Sequence, residues 1–276
     1  MRRSFYIISQ LESPRWGGVQ NYDKAGMSAG PLHVTAVLPT PQKQGKLWEL
    51  VSMLFVHCAH ESKAVQRLQQ AIDIENWVVT QTGAIVHRKT GKRIEFEVLR
   101  TRLSAAGGQV PVAGPKYDSA KHWAMLFHEA FADPCTYRTQ ELYTIQWLAR
   151  GQQTVELSAY SKYMPSAVGK RDAYNYVQYA TQQELGHDLD LAMIVYHAFS
   201  VNGPAQALAA LRSALLSKTA DLFAASLIKN LGTTSYGKWR DTLDNKNRYD
   251  KTRLACLSSG YWDEDRLHAL MPENIK

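Results

Sequence analysis

Apolar residues alternate with polar ones through much of the first ~160 positions of this chain and then move to helical spacing. A switch of that kind separates strands from helices along the chain and predicts an α+β fold rather than a doubly wound sheet. Strand patterns fall at 4–11, at 32–38 (His33-Val34-Thr35-Ala36-Val37-Leu38) and at 77–80. Residues 83–98 read as a β-hairpin whose turn centres on Lys89-Thr90-Gly91, with Ile94, Phe96 and Val98 alternating beyond it. Tyr143, Ile145 and Trp147, followed after Gly151 by Val155 and Leu157, read as a second hairpin. One long helix is expected over 46–73, carried by Leu47, Leu50, Val51, Leu54, Cys58, Val65, Leu68 and Ile72, and another over 119–132. From Asp172 onward helices are expected at 172–185, 188–199, 204–230 and 264–270, broken at Gly186 and Asn202-Gly203. The expectation is thus antiparallel hairpins with one or two helices over 1–165, and a mainly helical bundle over 166–276.

The size and make-up of the chain narrow its class. With 276 residues, 45% hydrophobic and 21% charged, it can bury a core without disulfides or metal. Cys58, Cys135 and Cys256 are odd in number and widely spaced, which argues against a disulfide framework or a cysteine-rich zinc finger and for free thiols in a reducing compartment. The start, Met1-Arg2-Arg3 then Phe5-Tyr6-Ile7-Ile8, has too short an apolar run for a signal peptide before Gln10 and Glu12. The apolar stretches 50–59 and 189–199 are far shorter than the ~20 residues of a membrane span. A cytoplasmic protein without membrane contact is expected.

The charge is unevenly placed. The net charge is +7, from 32 basic and 25 acidic residues. Between positions 88 and 102 stand six basic residues (Arg88, Lys89, Lys92, Arg93, Arg100 and Arg102) against Glu95 and Glu97. Between 229 and 253 stand seven (Lys229, Lys238, Arg240, Lys246, Arg248, Lys251 and Arg253) against Asp241, Asp244 and Asp250. These two stretches carry the whole excess, and clustered cations favour phosphate-rich partners. The second also interleaves Tyr236, Trp239 and Tyr249, with Tyr261 and Trp262 just beyond. Cations that hold a backbone beside aromatic faces that stack bases suit single-stranded DNA or RNA. A solvated, salt-bridged face with aromatics anchoring a loop is the plainer alternative. The Gly-rich segment Pro14-Arg15-Trp16-Gly17-Gly18 is a further place where a phosphate or base could be touched.

Catalytic signatures are sparse. The chain has no P-loop, G-x-G-x-x-G, G-x-S-x-G or H-E-x-x-H pattern. His57, His60 and Glu61 are at helical spacing and could share a metal, with His128, Glu129 and Cys135 as further donors; a histidine pair in packing is the simpler reading. His187-Asp188, near Glu184 and Asp190, resembles the doublet of HD-type phosphohydrolases, yet the upstream histidine and downstream aspartate of that family have no assignable counterpart, and an N-cap aspartate explains it as well. Tyr160-Ser161-Lys162-Tyr163 resembles the tyrosine-lysine motif of rolling-circle replication initiators, but the H-x-H metal motif of that family is absent. With Lys170, Arg171, Tyr174, Tyr176 and Tyr179 it could instead touch nucleic acid.

These readings converge on a nucleic-acid-binding protein without a catalytic centre, cofactor or metal, acting as a subunit of a larger nucleoprotein complex with other protein subunits. Its expected contacts are Arg88, Lys89, Lys92, Arg93, Lys238, Trp239, Arg240, Arg248, Tyr249, Lys251 and Arg253. The alternatives are a metal-dependent nuclease or phosphohydrolase using His57, His60, His187 and Asp188, and a purely structural interaction subunit.

Overall fold

A computed structural model describes residues 2–12, 16–21, 26–39, 42–104, 115–147, 186–201, 203–214, 220–240 and 245–272. The mixed α+β class holds in its coarse sense: helices dominate, and short antiparallel strands form small sheets. The chain divides into two compact units, one of Glu12–Thr144 and one of Met1–Leu11 with Ile145–Lys276.

In the unit Glu12–Thr144, β1 (Val19–Gln20), β2 (Ser28–Ala29) and β3 (Val34–Thr35) form an antiparallel sheet, and β4 (Val37–Pro39) pairs with β5 (Gln42–Gln44). The expected long helix is in fact two, α2 (Leu47–Cys58) and α3 (Lys63–Ile74). Cys58 and Val65 are seven apart and sit on one apolar stripe, so spacing alone does not reveal the break. Ser62 makes it: it takes extended backbone, and its hydroxyl accepts the Val65 amide at 3.1 Å as the N-cap of α3. In α2, Trp48 is buried and donates its indole N–H to the Ala36 carbonyl at 2.9 Å.

At the end of α3, Asn76 enters the left-handed region and turns the chain into β6 (Trp77–Val79), which pairs antiparallel with β7 (Ile85–His87). The turn between them uses Gly83 at φ +74°, where a Cβ would stand 2.3 Å from Cγ of Glu49. A second reversal follows at Lys89-Thr90-Gly91, as the turn residues predict: the Gly91 amide donates to the His87 carbonyl at 2.8 Å, and the Ile94 amide returns to the Ile85 carbonyl at 3.1 Å. The returning arm is short. Beyond the bridge Val86–Arg93 the chain becomes α4 (Phe96–Leu103), not a strand. Its buried residues, Leu99 and Leu103, lie four apart, and this helical pair outweighs the alternation of Ile94, Phe96 and Val98.

Helix α5 (Pro115–Ala132) opens on proline, which needs no amide partner at a first helical position. It buries Trp123, Phe127 and Phe131, and Trp123 stacks on Trp77 at 6.1 Å. The expected second hairpin is instead helical: α6 covers 134–147, with Tyr143 buried and its hydroxyl donating to the Lys46 carbonyl at 3.1 Å. Val155 and Leu157 lie outside the described residues.

In the other unit, the first predicted strand is a helix, α1 (Arg2–Glu12). A strand burying Phe5 and Ile7 would expose Ile8; here Ile8 is fully buried and Tyr6 is exposed, the mark of 3.6-residue periodicity in a run too short to distinguish the two. Helices α7 (Gly186–Ser200), α8 (Pro204–Ala214) and α9 (Ala220–Thr233) pack against one another. The helix expected over 204–230 is therefore two. Leu191, Ala192, Val195, Tyr196 and Phe199 put α7 in the core on more than one face. Between the helices expected at 204–230 and 264–270 the structure adds α10 (Arg248–Ser258), whose N-cap Asn247 accepts the Asp250 amide at 2.7 Å. Helix α11 (Glu264–Leu270) begins at Asp263, which accepts the Arg266 amide at 2.6 Å. The helix expected over 172–185 lies outside the described residues. Among the described residues no helix is long and apolar enough to cross a membrane.

Candidate nucleic-acid interface

The first basic stretch lies in the unit Glu12–Thr144, at the reversal after β7. Lys89, Lys92 and Arg93 are exposed and form no ion pair with a described residue. The backbone beneath them is held by bonds from the His87 amide to the Lys92 carbonyl (2.8 Å) and from the Arg88 amide to the Asn76 carbonyl (2.7 Å). Arg88 differs from its neighbours: its guanidinium pairs with Asp73 of α3 and ties the turn to that helix. Arg100 pairs with Glu97 at 2.8 Å and Arg102 with Glu75 at 3.0 Å, so both belong to salt-bridged helix surface. Of the first cluster, only the tip offers cations that no described acid neutralises.

The second stretch lies in the other unit and divides into exposed and buried members. Lys238, Trp239 and Arg240 are exposed, and neither cation has an ion pair with a described residue; Trp239 keeps 55% of its surface open. Arg248, Tyr249 and Arg253 are corrected by their burial, with 5%, 0% and 4% of their surfaces accessible. Arg248 donates Nη2–H to the Ala198 carbonyl at 3.0 Å in the last turn of α7, and its guanidinium lies 5.5 Å from the Tyr236 ring centroid. Arg253 donates Nε–H to the Met271 carbonyl at 2.9 Å. Tyr249 is packed in the core, where burial pushes its hydroxyl above the usual phenol range. These three hold the fold together and present nothing to an outside ligand. Lys251 is half-buried.

The sequence held a signal for this difference. Asn247-Arg248-Tyr249-Asp250 is a helix start, with an N-cap side chain and an acid in the first turn. Once 248–258 is helical, Arg248, Tyr249, Thr252, Arg253 and Cys256 line one inward face by i, i+4 spacing. Tyr236, in contrast, is not among the expected contacts yet anchors this loop. Its ring stands between Phe199 (5.6 Å, edge-on) and Trp239 (6.5 Å, 13° from parallel).

The metal-ligand candidates do not gather. His60 contacts Glu61 at 3.2 Å with both side chains about two-thirds exposed, and His57 is exposed at the end of α2. Among the described residues no three His, Cys, Asp or Glu side chains are placed to share an ion. His128 donates Nδ1–H to the Gly17 carbonyl at 2.6 Å, and Trp16 stacks on Tyr137 at 4.7 Å; of the segment expected to reach a phosphate, the described residues Trp16 and Gly17 contact α5 and α6 instead. The side chains of His187 and Asp188, and all of 148–185 with Tyr160, Lys162 and Tyr163, lie outside the described residues.

A polar network links Ser62, Asp133, Cys135 and Cys58. Ser62 donates to Asp133 at 2.5 Å, and this bond, against the cost of burial, holds the carboxyl below its ordinary range. Burial and the neighbouring Asp133 push the Cys135 thiol up to about 11, so at neutral pH it is neither a thiolate nucleophile nor a ready metal ligand. The group caps α3 and joins it to α6.

No protein-family model, curated protein or solved structure matches this chain.

Proposed function

We propose that this protein binds nucleic acid through its phosphate backbone and works as a non-catalytic subunit of a larger nucleoprotein assembly. The observation that carries the reading is the close grouping of exposed cations without an acidic partner among the described residues: Lys89, Lys92 and Arg93 on one tight turn, and Lys238 and Arg240 on one loop. Cations left unpaired on ordered backbone raise the local concentration of a polyanion and release its counterions on contact. Arg88, Arg248 and Arg253 are not among these exposed cations. A reducing, cytoplasmic setting suits three unbridged cysteines.

A salt-titrated binding assay tests the reading. Each of these cations that meets a phosphate of a single strand adds about 0.7 to the slope of log affinity against log salt, so the turn accounts for about 2.1 and the loop for about 1.4. Lys238→Glu with Arg240→Glu makes that slope shallower by about 1.4. Binding that ignores salt, or that survives both this pair and Lys89→Glu/Lys92→Glu/Arg93→Glu unchanged, removes the basis for the proposal.

A further inference from the structure

We infer that Trp239 is a stacking platform for an unpaired nucleobase, which makes the ligand of the Lys238–Arg240 loop single-stranded rather than duplex nucleic acid. The inference rests on the reading above but is carried by a different observation, the aromatic column and not the charge.

The column is built from the core outward. Phe199 is buried in α7 and meets Tyr236 edge-on; Tyr236 then lies nearly parallel to Trp239. Tyr236 is seated tightly. Its amide donates to Oε1 of Gln206 at 2.9 Å, and its ring lies over Gly203 so closely that a Cβ there would be 3.1 Å away. The backbone of Trp239 is clamped on both sides, its amide donating to the Tyr236 carbonyl at 3.2 Å and its carbonyl accepting from the Arg248 amide at 3.0 Å. Gly237, two residues earlier, packs so closely that a Cβ would lie 2.4 Å from the Leu231 carbonyl oxygen. An exposed tryptophan on a mobile tail would have to be ordered by its ligand. Here the backbone beneath the indole is already held by hydrogen bonds, which lowers the entropy lost on binding.

The stack on Tyr236 covers one side of the indole and leaves over half of its surface in water. Lys238 and Arg240 flank it in sequence and are exposed with it. Flat aromatic surface between two cations matches a nucleotide in which base and phosphate are both free to engage. A duplex offers the phosphates but keeps base faces stacked on each other, so it satisfies the cations and leaves the indole unused. Either sugar can supply the base; an acidic protein segment would supply charge without the flat partner.

The full-length chain is titrated with four labelled probes of equal length: oligo-dT, oligo-U, a blunt DNA duplex, and an abasic single strand that carries phosphates without bases. Base-bearing strands should bind more tightly than the abasic strand. Trp239→Ala should weaken them by about 5- to 160-fold, the range for loss of one base–aromatic contact, with the salt slope unchanged. Trp239→Phe should retain most of the affinity, and neither variant should shift binding of the abasic strand. Oligo-dT against oligo-U separates the DNA and RNA sources, and preference for either supports the inference. Equal binding of abasic and base-bearing strands, or full affinity in Trp239→Ala, overturns it while leaving the charge-based reading in place and assigning the indole to a protein contact. Absence of salt-dependent binding to every probe overturns both. Because Trp239 is outside the core, unchanged melting of the Ala and Phe variants confirms that the comparison is between folded proteins.

Discussion

Replacing Arg248 by alanine should destabilise the unit formed by Met1–Leu11 and Ile145–Lys276 while sparing nucleic-acid binding. Three effects set the size. The charged bond from Nη2 to the Ala198 carbonyl, at 3.0 Å and with the residue 5% exposed, contributes about 1.5–3 kcal/mol. That carbonyl lies in the last turn of α7, at the negative end of the helix dipole, where a cation is favoured by a further ~0.3–1 kcal/mol. The guanidinium 5.5 Å from the Tyr236 centroid adds about 1 kcal/mol. Against these stands the cost of keeping a guanidinium out of water, which the alanine variant no longer carries. The net expectation is a loss of about 2–3 kcal/mol, read as a lower urea midpoint with an unchanged slope. In the binding assay the salt slope should stay within about 0.3 of wild type, whereas a true phosphate contact removes ~0.7. An Arg248→Ala protein of wild-type stability with a shallower salt slope would refute the assignment and return Arg248 to the binding surface.

Two further outcomes follow from the same physics. His197 is buried in α7, and desolvation lowers it from 6.5 to about 3, so the folded protein holds it neutral. Its contribution to stability is complete above pH 6.5 and falls away as the pH drops from there toward 3, because the unfolded state binds a proton that the folded state refuses; the limiting slope is about 1.4 kcal/mol per pH unit. His197→Phe should flatten that part of a stability-against-pH curve measured by urea unfolding, and an unchanged acid limb would count against it. Gly83→Ala should cost roughly 2–4 kcal/mol in the unit Glu12–Thr144, from the left-handed φ of +74° and a Cβ placed 2.3 Å from Glu49 Cγ. A melting temperature equal to wild type would show that the β6–β7 turn stands away from α2.

Several local features were readable in advance because they depend on a few adjacent residues. The reversal at Lys89-Thr90-Gly91, the helix at Glu264–Leu270 and the apolar stripe from Leu47 to Ile72 are set by turn chemistry, capping and spacing. The errors gathered where apolar residues are frequent and runs are short. Phe5-Tyr6-Ile7-Ile8, Ile94–Val98 and Tyr143–Trp147 alternate as strands do, and all three are at least partly helical, because helical neighbours farther along bury the i, i+3 and i, i+4 partners that a local reading does not weigh.

What the amino-acid order determined by itself is the amount and clustering of charge, the aromatics beside it, and the caps that start α3, α10 and α11. Which cations face water was decided only by tertiary packing. Lys238 and Arg248 are ten positions apart in one basic stretch, yet one is open to solvent and the other is buried against Ala198 and Tyr236. The sign of a charge is a property of the residue; the dielectric around it, and hence whether it can meet a phosphate, is a property of the fold.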